Sequence, residues 1–262
     1  MIEGLRKDAT LEVHVDVTTR NAIRLRDREL DAAFISPIDY ARESSEYRII
    51  PGIAVSSRQG NDTVVLHFRE GLRSIKTLAV DPSSTSEIIL AKILLAERFD
   101  SEPSLVPVNG TLETMLSKAD AALLVGDAAL DAASSHHSKL DLIEEWNDML
   151  EVPYVHGFWC GREDALSLQE IERIQRARDD GVRALERLSS DSVSRFSSQV
   201  TKKIVSVYLH EFVYEFNDEV REGLSEFLRY AYYHRVLPDV ADINFYGADS
   251  ETPDDDAEIS LN

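Results

Sequence analysis

Cysteine is nearly absent: Cys160 is the single such residue among 262. That excludes an internal disulfide and any zinc site built on several thiolates. Positive charge is also scarce, with 28 Lys and Arg against 48 Asp and Glu, a formal net charge of -20. A field of that sign repels nucleic acid and anionic lipid, so neither is expected as a partner. No apolar run approaches the roughly 20 residues of a membrane span. The opening Met1-Ile2-Glu3-Gly4-Leu5-Arg6-Lys7-Asp8 has no signal-peptide apolar region, so the expected location is the cytoplasm. G-x-G-x-x-G, Walker A and G-x-S-x-G patterns are missing, which removes the sequence signs of dinucleotide, P-loop and serine-hydrolase chemistry. His136 and His137 are adjacent in a serine-rich loop, where neighbouring rings diverge, so no metal centre is expected.

What is present suits a globular core: 43% of residues are hydrophobic and 29% charged. Strand and helix patterns alternate. Residues 11–17 alternate apolar and polar and read as a strand; 19–30 read as a helix; 31–37 form a buried strand broken at Pro37, with a helical turn through Tyr40. Strands are expected at 49–56 and 63–68, around a loop holding Gly60 and Asn61. The theme then repeats. A strand at 77–80 leads into a helix over 86–98, followed by a strand at 105–108, a helix at 112–118 and a strand at 121–125. Beyond the Gly126-Asp127 turn come a short helix, a helical stretch at 141–150 and a returning strand at 154–160. Helices are expected over 168–188, opened by Ser167 and Glu170 in capping-box spacing, over 201–216 and over 219–234. Residues 247–262 are acidic and read as a disordered tail.

Repeated βα units imply mainly parallel sheets flanked by helices. The chain passes from a first block to a second and back. This divides it into a discontinuous lobe of residues 1–72 and 160–246 and a second lobe of 73–159. A ligand site is expected in the cleft between them, at the carboxyl ends of strands.

Candidate residues collect at those ends. Asp81-Pro82-Ser83-Ser84-Thr85-Ser86 joins the strand at 77–80 to the helix that follows. Ser84 or Thr85 can cap that helix; the further hydroxyls, with the unpaired N–H groups of its first turn, suit a carboxylate. Ser36 ends one strand, Thr63 begins another, and Gly126 with Asp127 ends a third. Taken singly, these also fit a local turn, a hairpin and a helix cap. Hydroxyls and amides dominate the set without Lys or Arg, which suits a hydrogen-bonded organic acid better than a phosphate. His156 on the returning strand lines the cleft or packs structurally, and Trp159 is assigned to the core.

Phe34-Ile35-Ser36-Pro37-Ile38-Asp39-Tyr40-Ala41, the Asp81–Ser86 segment, Ala119-Asp120-Ala121-Ala122-Leu123-Leu124-Val125-Gly126-Asp127-Ala128-Ala129-Leu130 and Leu142-Ile143-Glu144-Glu145-Trp146 together resemble the chorismate dehydratase family of the futalosine route to menaquinone. The resemblance runs from about Met1 to Tyr246. It implies a two-lobed α/β fold similar to type II periplasmic binding proteins, used as a cytoplasmic hydro-lyase on the dicarboxylate chorismate, without cofactor or metal. A sister lyase of that pathway carries a catalytic histidine where this chain has Gly126, which favours the dehydratase.

On this resemblance Ser83, Ser84, Thr85 and Ser86 hold one carboxylate. Ser36 and Thr63 hold the other carboxylate or the hydroxyl, Gly126 lines the pocket, and Asp127 accepts a proton or orients its neighbours. The family opens with a strand ending in a Tyr-Leu-Asn type motif, and Met1–Leu5 looks like the piece that follows it. The expectation is therefore that this first strand is missing here and Met1 is internal. Two alternatives follow: a non-catalytic small-carboxylate binder of the same fold, and an N-terminally truncated inactive form.

Overall fold

The protein is described by a computed structural model over residues 1–6, 8–187 and 211–247. Helices α1 (Ile2–Leu5) and α2 (Thr18–Arg26) precede strand β1 (Ala32–Ile35), the five-residue helix α3 (Pro37–Ala41) and the long strand β2 (Tyr47–Ser57). Then come β3 (Val64–Phe68), β4 (Thr77–Val80), α4 (Thr85–Phe99), β5 (Ser104–Pro107), α5 (Leu112–Leu116), β6 (Ala121–Val125), α6 (Asp127–Asp131) and β7 (Ser138–Asp141). Helix α7 (Leu142–Leu150), strand β8 (Tyr154–Arg162), α8 (Leu168–Glu186) and α9 (Asp218–Tyr233) complete the described elements.

Two sheets organise them, ordered β1-β8-β2 and β5-β4-β6-β3-β7. The βα alternation is there, yet fewer strand pairs are parallel than it implied. In the first sheet β8 returns from the second lobe and enters between β1 and β2, antiparallel to both. β1 and β2 thus run the same way without touching. In the second sheet β4 pairs parallel with β5 and β6, while the arriving strand β3 pairs antiparallel with β6 and β7. Because β3 belongs to the second sheet and β8 to the first, the chain crosses between lobes near residues 58–63 and 151–153.

Residues 11–17 form no ladder, contrary to their alternation. Val15 and Val17 stand 59% and 56% exposed. Alternation describes one face of a strand, but a strand persists only with a partner for its backbone groups. Residues 211–216 depart from helix for the converse reason. Val213 exchanges both backbone hydrogen bonds with Ser56, at 2.8 and 3.0 Å, adding to the edge of β2. Asn217 then caps α9 by accepting from Val220 N. The rest of the expected 201–216 helix, and the acidic stretch from 248 on, lie outside the described residues.

Helix α9 binds the lobes together. Its apolar stripe of Val220, Leu224, Phe227, Leu228 and Ala231 is buried, each large side chain contributing about 1.5–3 kcal/mol. Phe227 meets the Trp146 ring of α7 edge-on at 5.9 Å and the Tyr154 ring of β8 at 5.7 Å. Gly223 lets the helix lie against Pro153, whose carbonyl oxygen would collide with any Cβ there. The capping box read from Ser167 and Glu170 is formed at α8, each side chain holding the other's backbone N–H.

Candidate functional site

Where the lobes meet, α3 of the first faces the start of α4 in the second. Pro37 stops β1, and Ser36 caps the short helix α3 that follows. Ser36 Oγ accepts from Asp39 N at 3.4 Å and donates to Asp39 Oδ2 at 2.8 Å. From α4, Thr85 Oγ1 donates to the same Oδ2 at 3.2 Å and lies 3.1 Å from Ser36 Oγ. Arg42 Nη1 reaches Asp39 Oδ1 at 3.3 Å. Ser86 Oγ accepts from Ile38 N at 3.1 Å. Ser36, Thr85 and Ser86, far apart in sequence, are thus brought into one group, with Asp39 at its centre.

The serine-rich turn divides into different roles. Ser84 is the N-cap residue of α4, but its side chain makes no capping hydrogen bond. Ser83 N and Oγ both donate to Asp81 Oδ1, at 2.9 and 2.7 Å, so Ser83 closes an exposed turn outside the group. Ser86 is 0% exposed and joins the two helices. Its hydroxyl oxygen accepts from the Ile38 N–H of α3. Ser84 and Thr85 stay partly exposed.

Thr63 belongs to a second network at the crossing between lobes. Its N and Oγ1 both donate to Asn61 Oδ1, at 3.1 and 2.6 Å. Asn61 Nδ2 donates to Ser57 Oγ at 2.9 Å, leaving the Ser57 proton for His156 Nε2, 2.8 Å away. With its own proton committed, Thr63 can only accept from a ligand. In that arrangement a ligand hydroxyl fits as its donor. Thr63 O also accepts from Gly126 N at 2.7 Å, which ties this network to the end of β6. Gly126 has φ +62 and ψ -132, a conformation that requires glycine. Asp127 opens α6 on an exposed turn and has no hydrogen bond to the Asp39 group among the described residues. Burial pushes the His156 imidazole down to about 3, so it is neutral and acts as a hydrogen-bonding wedge between Tyr154 and Phe212. Trp159 packs against the Ile50 and Ile171 cluster, in the core as expected.

Three further groups escaped sequence reasoning. Glu87, in the first turn of α4, is only 9% exposed. Burial pushes its carboxyl up to about 7, with the Asp39 charge acting the same way and its own backbone N–H opposing. Tyr154 is buried, its hydroxyl has no hydrogen-bond partner among the described residues, and burial followed by the Glu87 charge raises it well above 10. Asp39 and Glu87 each end a Ser-x-x-acid spacing, a signal that was visible but reads first as helix capping. A polar cavity of about 440 Å³ opens nearby at the crossing, lined by Gln59, Gly60, Asn61, Lys139, Asp141 and Glu144. Among the described residues no group of three His, Cys, Asp or Glu is arranged to hold a metal, and no helix is long and apolar enough to cross a membrane.

Two α/β lobes joined by crossing strands, with polar side chains gathered where they meet, define a protein of the type II periplasmic-binding-protein-like class. More narrowly, the chain belongs to the menaquinone biosynthesis family, whose model matches residues 1–233. A protein of Archaeoglobus fulgidus solved by a structural genomics consortium is similar, with 23% identity over 86% of each chain and a TM-score of 0.67. The alkanesulfonate-binding protein SsuA of Xanthomonas axonopodis pv. citri, bound to MOPS, is similar at 13% identity, 88% of this chain, 84% of that one and a TM-score of 0.63. PhnD1 of Prochlorococcus marinus, in complex with methylphosphonate, matches at 10% identity, 90% and 91% coverage and a TM-score of 0.52. At these identities the likeness is one of fold.

Proposed function

We propose that this chain is a chorismate dehydratase, a cytoplasmic hydro-lyase that removes water from chorismate to give 3-[(1-carboxyvinyl)oxy]benzoate in the futalosine route. The observation that carries this is the pairing of the family match over residues 1–233 with a hydroxyl and carboxylate group spanning both lobes. Aromatisation drives the reaction, so the protein must orient a dianion and move one proton, work done by positioned hydrogen bonds. Ser36, Ser84 and Thr85 present hydroxyls on one side of the junction, backed by Ser83 in its turn and Ser86 between the helices. Thr63 accepts from the substrate hydroxyl, Gly126 gives the strand end its shape, and Asp127 orients groups at the rim. A net charge of -20 opposes a dianion at long range, and salt screens that repulsion over about 8–10 Å.

A second reading is a non-catalytic small-carboxylate binder, favoured by solved neighbours whose names describe binding of small anions. Incubating the purified chain with chorismate, with product followed by chromatography and mass spectrometry, separates the two. Formation of the aromatic ether establishes the dehydratase. A chorismate-dependent rise in melting temperature without product establishes the binder, and the absence of both removes chorismate as the ligand.

A further inference from the structure

We propose that Asn109 is a site of spontaneous covalent modification: its side chain closes onto the Gly110 nitrogen, and the ring reopens to aspartate and isoaspartate. The chain holds seven asparagines, and Asn109 alone is followed by glycine. Without a Cβ, Gly110 leaves its backbone nitrogen open to approach and adopts conformations closed to other residues; it stands at φ +153. Residues 109–111 are exposed. They lie between Val108, whose N–H donates to Val80 O at 2.9 Å, and Leu112, buried at the start of α5. The segment is held at both ends. Among the described residues, the Gly110 N–H donates to no acceptor and the Asn109 amide has no partner.

The other described asparagines are held back. Asn21 donates to Phe34 O, and Asn147 sits within α7, where the next N–H is bonded along the helix. Asn61 is 8% exposed and bound to both Ser57 and Thr63. Asn217 accepts from Val220 N as the cap of α9, and Asn244 donates to Ser44 O.

The chemistry needs only water. The Gly110 nitrogen gives up its proton and attacks Cγ of Asn109. The new C–N bond closes a five-membered imide, the Cγ–Nδ2 bond breaks, and ammonia leaves carrying a proton in place of the one Gly110 lost. Water then adds to either imide carbonyl. Opening at the Cγ carbonyl restores the ordinary backbone with aspartate at 109. Opening at the backbone carbonyl routes the chain through the side-chain carbons as isoaspartate. Either product carries one more negative charge than the parent chain. That charge appears at the carboxyl end of β5, one residue past the Val108–Val80 hydrogen bond and so beside the Asp81 turn.

The test incubates the folded full chain at mildly alkaline pH beside Asn109→Gln, whose longer side chain would have to close a six-membered ring. Products are read by ion exchange and by peptide mass spectrometry with isoaspartyl methyltransferase labelling. Wild type is expected to accumulate a more acidic species with both isoaspartate and aspartate at 109. Its rate there should exceed that at Asn61 at least about 5-fold, the population factor of one hydrogen bond. Asn109→Gln should keep the wild-type melting transition and lose the acidic species. A rate at 109 less than about 5-fold above that at Asn61 overturns the proposal. So does an acidic species that persists in Asn109→Gln, or aspartate at 109 without isoaspartate, which bypasses the ring. None of these outcomes bears on the dehydratase reading.

Discussion

Replacing Glu87 by Gln isolates one buried charge. In the folded chain burial holds the Glu87 proton up to about pH 7, against an ordinary value of 4.5. Between those values the unfolded chain ionises and the folded chain does not. Stability from this site is therefore complete below about pH 4.5 and drains away as pH rises to about 7. At about 1.4 kcal/mol per pH unit, the loss above pH 7 is about 3 kcal/mol. Gln cannot ionise, so variant and wild type should differ little at pH 5 and separate as pH rises. By pH 8 the variant should melt roughly 6–12 °C higher, at 2–4 °C per kcal/mol for a chain of this size. Thermal melts of both proteins across pH 5 to 8 are the assay. Burial depresses the imidazoles of His156 and His67, so both proteins lose stability on acidification; this cancels in the difference. Two curves that stay parallel over the whole range would show that Glu87 is solvated in the folded chain, and the reading of it as a buried carboxyl would fail.

The other predictions concern the second lobe. Gly126→Ala places a Cβ where nothing lies within 4 Å, so the expected loss of about 1–3 kcal/mol comes from the backbone at φ +62, measured by urea unfolding. His67 on β3 is fully buried with both ring nitrogens unpartnered among the described residues, and burial is the first cause of its lowered basicity. His67→Leu should raise stability by about 1–3 kcal/mol at pH 8. The gain should widen below about pH 6.5, where the unfolded wild type gains a proton that the folded form refuses, and a constant difference at every pH would contradict this.

Local chemistry in the sequence located the elements that carry the site better than it located their partners. Pro37 after β1, the hydroxyl turn before α4 and Gly126 after β6 all mark real ends, because proline, caps and positive φ are properties of one short segment. Pairing is a property of two. Residues 11–17 alternate like a strand and find no ladder, while residues 211–216 have helical spacing and are drawn onto β2 through Val213. Nothing local announces that β8 enters between β1 and β2, which makes the first sheet antiparallel. The same limit governs the site. Thr85 was legible as a donor, but its acceptor lies 46 residues away in the chain. Glu87 and Tyr154, separated by still more chain, become an electrostatic pair only through the fold.

Two carboxyl groups at one junction, in a protein of net charge -20, would repel a dianionic ligand if both were equally charged. They are treated differently. Burial pushes the Glu87 carboxyl up to about 7, so near neutral pH it carries on average only part of a negative charge. Asp39 instead receives two hydroxyl protons and an arginine N–H. The acidic surface therefore says little about the junction: within hydrogen-bond range the donors around Asp39 outweigh distant charges screened over about 8–10 Å. It follows that added salt should tighten a dianion here by weakening the surface field and leaving those short contacts intact.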